Sequence, residues 1–435
     1  MLIFISDLHF VDGSAGEHNV PADAFRIFFE DIKGAVDWMT KKGRPVEEIK
    51  IVFLGDIFDL LRTEMWFKHK GRKIPVSKRP WGNDEKGIET HANTIFDEII
   101  KKNQQTFNLL KGELKEEFDL PVEPERIYIP GNHDRLCNKY KSLRKKVSKW
   151  LRIPSRNIPF EHCFEDISYG VFARHGHEYD KFNYEGGVSY NHEDYMRMPI
   201  GDPITTELIA KLPWKIMNRK EIKKLPKKEQ HALKRNLQEI ENVRPFSATL
   251  EWLLYQVKRN LSLKEVIEDA VDEVIREFND LEFVKKWYDH HDKWYDFLDE
   301  ADKIQSALYL LEKFKIFPLE KLMPLLEKVK NSLVGDDLLE AAPKEYLHLD
   351  SQIRYIVYGH THEPLQAPIR VIEGPAPKEQ VYLNTGTWRT RYRKSKEGLG
   401  FIGWKTLTYT IFYRKEERKK DFPAFETWTG TLKSV

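Results

Sequence analysis

Five short apolar runs constrain this chain most, because each leads at once into Asp, His or Asn, side chains of metal-ligand type. Leu2-Ile3-Phe4-Ile5 is followed by Asp7-Leu8-His9, and Ile51-Val52-Phe53-Leu54 by Gly55-Asp56-Ile57-Phe58-Asp59. Ile127-Tyr128-Ile129 precedes Gly131-Asn132-His133-Asp134, and Val171-Phe172-Ala173 precedes His175-Gly176-His177. Much later, Tyr355-Ile356-Val357-Tyr358 precedes Gly359-His360-Thr361-His362. Unbroken apolar runs of this length suit strands buried on both faces of a sheet. Between the first two runs, Pro21 and Gly43 bracket a helix whose Phe25, Phe28, Phe29, Ile32, Val36 and Met39 keep a 3.6-residue period. A second helix is predicted around Ile88, Ala92, Ile95 and Ile99. Strands alternating with helices predict a layered α/β fold, and in such sheets ligands gather at the carboxyl ends of the strands.

The residues at those ends are carboxylate, imidazole and amide without thiolate, a donor set for Mn, Fe or Zn. In an extended segment, residues i and i+2 point the same way, about 6.6 Å apart. Asp7 with His9, and His360 with His362, can therefore reach one shared centre. Gly55, Gly131 and Gly359 precede the ligands, where the backbone is expected to turn sharply. Taken singly, each block has a plainer reading as a turn or a cap. Five compatible blocks in one chain favour a metal site.

In these blocks the sequence resembles the calcineurin-like metallophosphoesterase superfamily, whose signature is Asp-x-His, Gly-Asp-x-x-Asp, Gly-Asn-His-Asp/Glu, His and Gly-His-x-His, in that order. Asn384-Thr385-Gly386-Thr387, after strand-like Val381-Tyr382-Leu383, matches the family tail. The resemblance covers residues 1–179 and 352–413. It implies a four-layer α/β/β/α sandwich and two divalent ions, Mn first, with Fe, Zn or Co as alternatives. Asp7, His9, Asp56 and His362 would hold the first ion; Asp56, Asn132, His175 and His360 would hold the second, with Asp56 bridging. His133 would face the leaving group and Asp134 would orient it. Asp59 has two readings, support behind the ligands or a helix cap. His177 is expected to be a hydrogen-bonded structural histidine.

The implied activity is hydrolysis of a phosphodiester or pyrophosphate bond by a hydroxide bridging the two ions, with His133 assisting the leaving group. A phosphomonoesterase or nuclease on the same core is the alternative within enzymes, and a non-catalytic scaffold is the alternative outside them. The branch that looks most similar is the UDP-2,3-diacylglucosamine pyrophosphatase-like one, so nucleotides, nucleic acids and UDP-linked lipids are the candidate substrates. The second block lacks the Arg-Gly of Ser/Thr protein phosphatases. The third carries His133 where the authentic pyrophosphatases often have Arg.

About 170 residues, from Asp180 to Leu349, separate the fourth and fifth blocks. The predicted organisation is core residues 1–180, a mostly helical insertion at 181–350 that roofs the site, and core residues 351–435. Deleting the insertion is expected to change specificity more than metal loading. Phe283, Val284, Trp287, Tyr288, His291, Trp294, Tyr295 and Leu298 keep helical spacing and read as a core seam rather than an aromatic platform. Asp289-His290-His291-Asp292 is a weak third-metal candidate, since adjacent helical histidines diverge. Residues 211–235 carry ten Lys/Arg against Glu221 and Glu229, which reads as a solvated helix pair before an anion-binding patch. One of Arg389, Arg391 and Arg393 is expected to bind phosphate. Pro375-Ala376-Pro377 reads as a loop.

Composition excludes other classes. The net charge is +2, which argues against a globally basic nucleic-acid binder. Cys137 and Cys163 are too few for a disulfide scaffold and fit a reducing cytosol, so a cytoplasmic location is expected. No apolar run reaches membrane-spanning length, and the N-terminus does not read as a signal peptide.

Overall fold

The computed structural model describes residues 1–16, 19–154, 158–187, 190–244, 248, 252, 255, 263–291, 337–373, 378–397, 400–418 and 424–432. Trp294, Tyr295, Leu298 and Asp292 of the insertion, and Pro375-Ala376-Pro377, lie outside these residues. The described strands, in chain order, begin with β1 (Leu2–Ile5), β2 (Lys50–Leu54), β3 (Lys68–His69), β4 (Arg72–Lys73), β5 (Glu125–Ile129), β6 (Cys163–Asp166) and β7 (Val171–Arg174). They continue with β8 (Val243–Arg244), β9 (Tyr355–Tyr358), β10 (Leu365–Ile372), β11 (Lys378–Asn384), β12 (Thr390–Lys394), β13 (Phe401–Phe412) and β14 (Phe425–Leu432).

The fold is mixed α/β with several sheets. The first sheet runs β5-β2-β1-β13-β12-β8, with β14 also paired to β13. Strands β1, β2 and β5 are parallel, and β13 runs antiparallel to β1. The second sheet runs β10-β11-β9-β7-β6, with β7, β9 and β11 parallel. The five predicted strands are all present, but they divide between two sheets, β1, β2 and β5 in one and β7 and β9 in the other.

Their apolar runs are unbroken because both faces are covered. In β1, Ile3 and Ile5 pack with Phe25, Phe28 and Ile32 of the helix Ala22–Lys41, while Leu2 and Phe4 pack with Val171, Ala173, Tyr355 and Val357 of the second sheet. On that sheet's other face, Phe172, Ile356 and Tyr358 meet Leu338 and Ala342 of the helix Asp337–Glu345. Each fully buried side chain of this size contributes roughly 1.5–3 kcal/mol. The helix Ala22–Lys41 buries the predicted stripe of Phe25, Phe28, Phe29, Ile32, Val36 and Met39. It stops at Gly43 (φ +72°), where Gly43 N–H donates to Thr40 O and Arg44 N–H to Met39 O, closing the last carbonyls. The helix Glu85–Lys102 buries Ile88, Ala92, Ile95 and Ile99 and is capped by Asp84, whose side chain accepts from Gly87 N–H.

Residues 190–291 contribute a separate apolar cluster, including Ile216, Leu237, Ile267, Val274, Phe278 and Val284. Val284 and Trp287 of the helix Glu282–His291 are buried in it, with Phe283 and Tyr288 packed alongside. The strand β8 lies within this stretch, whose described residues are otherwise mostly helical, and pairs with β12. Among the described residues, no helix is long and apolar enough to cross a membrane.

Candidate metal centre

The loops that follow β1 and β2 stay hydrogen-bonded beyond the strands. Asp7 N–H donates to Gly55 O (3.1 Å) and His9 N–H to Asp56 O (2.8 Å). In the second sheet, Gly359 N–H donates to His175 O (3.0 Å). The tail joins the two sheets: Asn384 Nδ2 donates to Gly359 O (2.7 Å), and Thr387 Oγ1 to Asp7 O (2.6 Å). These bonds bring the ends of β1, β2, β7 and β9 to one place, and His133 N–H, donating to Asp56 Oδ1 (2.9 Å), adds the end of β5.

The local backbone differs from the extended form expected. Asp7 (φ +51°), His9 (+44°), Asp56 (+53°), His360 (+68°) and His362 (+61°) are all left-handed. Such conformations cost about 1–3 kcal/mol each, and they concentrate where surrounding contacts enforce a function. The glycines also serve a different purpose. Gly55 has positive φ (+81°), but Gly131 and Gly359 do not. A Cβ at Gly131 would strike the Asp56 carboxylate, and one at Gly359 the Asp7 carboxylate and Ser6. Those two positions need glycine for close approach rather than for a turn.

Three trios result, each with ligand atoms close enough to hold a metal ion: Asp7–His9–His362, Asp56–His175–His360, and His9–Asp59–His133, whose facing atoms are already hydrogen-bonded through Asp59. In the first, His9 Nε2 lies 3.0 Å from His362 Nε2, and His362 Nε2 lies 3.2 Å from Asp7 Oδ1. In the second, His175 Nε2 lies 3.2 Å from Asp56 Oδ2. The same Asp56 oxygen stands 3.6 Å from His9 Nε2, between the first two trios.

Hydrogen bonds settle which imidazole nitrogens keep a lone pair. A carbonyl or ionised carboxylate only accepts. His175 Nδ1 donates to Leu54 O (2.9 Å) and His9 Nδ1 to Asp59 Oδ2 (3.1 Å), so in either ring, once neutral, Nε2 is the atom left to ligate. His360 Nε2 donates to Asp180 Oδ2 (3.0 Å), which leaves Nδ1. Asp7 Oδ1, Asn132 Oδ1 and His175 Nε2 are buried with no hydrogen-bond partner. Leaving such atoms unsatisfied costs about 1–3 kcal/mol each. Ligation of these atoms by cations, Asp7 in one trio and His175 with Asn132 in the other, would remove that cost, so the donor set fits divalent metal.

Without a cation, protons balance the carboxylates. Burial opposes a charge on His9, but its hydrogen bond to Asp59 and the nearby Asp7 and Asp56 carboxylates raise it to about 9. Burial likewise opposes protonation of His175, and Asp56 and Asp7 raise it to about 10. Burial pushes the Asp7 and Asp56 carboxyls up, but the surrounding histidines, His175 foremost, pull both well below the usual range. His177 is lowered to about 4, chiefly by burial. Its Nδ1 has no hydrogen-bond partner, contrary to the bonded role expected.

The structure reassigns the partner of His133. Asp134 was expected to orient it; instead its carboxylate accepts from Ile57 N–H (3.0 Å) and Gly131 N–H (2.5 Å), tying two ligand loops together. A buried carboxylate so occupied by backbone donors has no oxygen aimed at the ring. The partner is Asp59, whose Oδ1 accepts from His133 Nδ1 (3.0 Å) while Oδ2 accepts from His9. Asp59 thus takes its supporting reading, although Oδ1 also accepts from Arg62 N–H in the manner of a cap.

Asp180 and Asn183 carried no signal in the sequence. Asn183 Oδ1 accepts from Asn132 Nδ2 (3.1 Å), and Asp180 holds His360. The arginines after the tail have carboxylate partners: Arg389 faces Glu241 (3.5 Å), Arg391 bonds Glu363 (2.9 Å), and Arg393 pairs with the same Glu363. Arg62 shares Glu241 at 2.8 Å. Part of the basic stretch is likewise neutralised, since Lys211 and Lys215 pair with Glu277, and Lys215 and Arg219 with Glu273. His291 bonds Trp287 O and faces Glu185 (3.3 Å), and the described residues around it hold no metal-ligand trio.

No protein-family model matches this chain, and no curated protein does either.

Proposed function

We propose that this protein is a metal-dependent phosphoester hydrolase of the calcineurin-like metallophosphoesterase type, acting on a phosphodiester or pyrophosphate bond with two divalent ions, Mn first. The observation that carries this reading is Asp56 Oδ2, 3.6 Å from His9 Nε2 and 3.2 Å from His175 Nε2, between two ligand trios. A four-layer α/β/β/α reading of the core is supported by the apolar contacts between the two sheets and the helices against their outer faces.

Two cations at such a site supply Lewis acidity to the phosphoryl oxygens and bring a bound water's pKa toward about 7. The chain's own residues do the rest. Asp7, His9, Asp56 and His362 would hold one ion, and Asp56, Asn132, His175 and His360 the other. His133 has a side chain 13% exposed, with Nδ1 taken by Asp59. Nε2 is then the nitrogen left to give a proton to the departing oxygen. Burial opposes charging this ring, but in the metal-free site Asp59 and Asp56 raise its pKa well above the ordinary value.

The test is hydrolysis of bis-p-nitrophenyl phosphate by Mn²⁺-loaded protein, with and without chelator, beside the p-nitrophenyl monoester. Chelator-sensitive turnover of the diester is expected. Protein that carries its ions yet turns over neither ester would instead be a scaffold.

A further inference from the structure

A single string of hydrogen bonds links His360 to Asn132 through residues outside both ligand blocks. His360 Nε2 donates to Asp180 Oδ2 (3.0 Å), and Asn183 Nδ2 donates to the same oxygen (2.7 Å). Asn132 Nδ2 donates to Asn183 Oδ1 (3.1 Å). The carboxylate at the head can only accept, so it sets the sense of every bond behind it. The His360 proton must sit on Nε2, leaving the Nδ1 lone pair. Asn183 must turn its NH₂ to Asp180 and its oxygen to Asn132. Asn132 must then present Oδ1, the atom that is buried without a partner.

The string is anchored in the segment that opens the insertion. Phe182 N–H donates to Asp180 Oδ1 (2.9 Å), and Gly201 N–H to Phe182 O (2.7 Å). A Cβ at Gly201 would collide with Asn183 Oδ1 and Phe182 O. Further on, Trp287 Nε1 donates to Glu185 Oε1 (2.5 Å), and His291 faces the same carboxylate. Among the described residues, none from this segment bonds His9 or Asp7, which meet Asp59, Ser6, His362, the tail and the His360 backbone instead.

We propose that Asp180 and Asn183 are positioning residues that set how tightly the second cation is held, so that the segment opening the insertion decides whether the site carries one ion or two. This rests on the two-ion reading above. It predicts uneven loss: without the string, the Asp56–His175–His360 half weakens and the Asp7–His9–His362 half does not.

The experiment measures Mn²⁺ bound per full-length chain against free Mn²⁺, together with the electron paramagnetic resonance signal of coupled and isolated Mn²⁺. Wild type should bind two ions with a coupled signal. Asp180→Ala and Asn183→Ala should bind the first ion as wild type does and the second about 10–100-fold more weakly, with an isolated-ion signal at intermediate Mn²⁺. Asp180→Asn keeps an accepting oxygen and should retain most of the second affinity. Circular dichroism of the metal-free proteins checks folding; should Asp180→Ala not fold, Asn183→Ala against Asp180→Asn decides the matter. Unchanged second-ion affinity in the alanine variants, or equal weakening of both ions, overturns the proposal. Fewer than two ions on wild type overturns the two-ion reading instead.

Discussion

The Asp7–His9–His362 and Asp56–His175–His360 trios use the same residue types but are held in place differently. The first hangs on the core: Asp59 grips His9, Thr387 grips the Asp7 carbonyl, and Ser6 bonds both Asp7 and Thr385. The second is split. His175 is fixed by Leu54 O within the core, whereas His360 leans on Asp180 and Asn132 on Asn183, where the chain leaves the core for its insertion. Similar ligands therefore need not bind with similar tenacity, because a ligand is only as well placed as the group that holds its far side.

The largest effect should come from the residue the two halves share. Asp56→Ala should abolish ion binding in both halves and take hydrolysis to background, measured as metal content and turnover of the bis-ester. Retention of one ion at wild-type affinity would show that Asp56 belongs to one half alone. His133→Ala should keep both ions and slow poor leaving groups by about 10²–10⁴-fold. Equal slowing of good and poor leaving groups would remove His133 as the proton donor. Asp59→Asn should cost about 10–100-fold in first-ion affinity while sparing the second, the mirror image of Asp180→Ala. If it weakened the second ion as much, the contrast between the halves would be wrong.

The smallest effect, and the one common to both halves, is in pH. His9 and His175 have metal-free pKa values raised to about 9 and 10, so at neutral pH each carries a proton that an ion must expel. Ion affinity should rise with pH, about tenfold per unit for each proton released. Calorimetry in buffers of different ionisation enthalpy should detect that release. The metal-free protein should behave oppositely. Stabilisation from these raised histidines is fully present below about 6.5 and is lost as pH climbs through 9 to 10. A metal-free melting temperature that rises across that window would contradict the assignment.

The strands were legible because an unbroken run such as Leu2-Ile3-Phe4-Ile5 reports burial on both faces, a local property. The ligand types were legible because Asp, His and Asn stand directly after such runs. The conformation of those ligands was not. Asp7 and His9 are i and i+2 in either an extended or a paired left-handed backbone, and only contacts with Gly55 and Asp56 select the second. Asp134 looked like the partner of His133 because it is its neighbour in sequence. Asp59 holds the ring instead, since Gly131 and Ile57 amides already fill the Asp134 carboxylate. Arg389, Arg391 and Arg393 looked open to phosphate because Glu241 and Glu363 lie far off in the chain.

The amino-acid order by itself determined the donor chemistry, the α/β alternation and the five strand ends, since each depends on neighbours within a few residues. Tertiary structure alone decided that these ends come from two sheets, that Asp56 stands between two trios, and that Asp180 and Asn183 support one of them. Those are facts of orientation between distant segments. A hydrogen bond is made or lost within a fraction of an ångström, a precision that residue spacing does not encode.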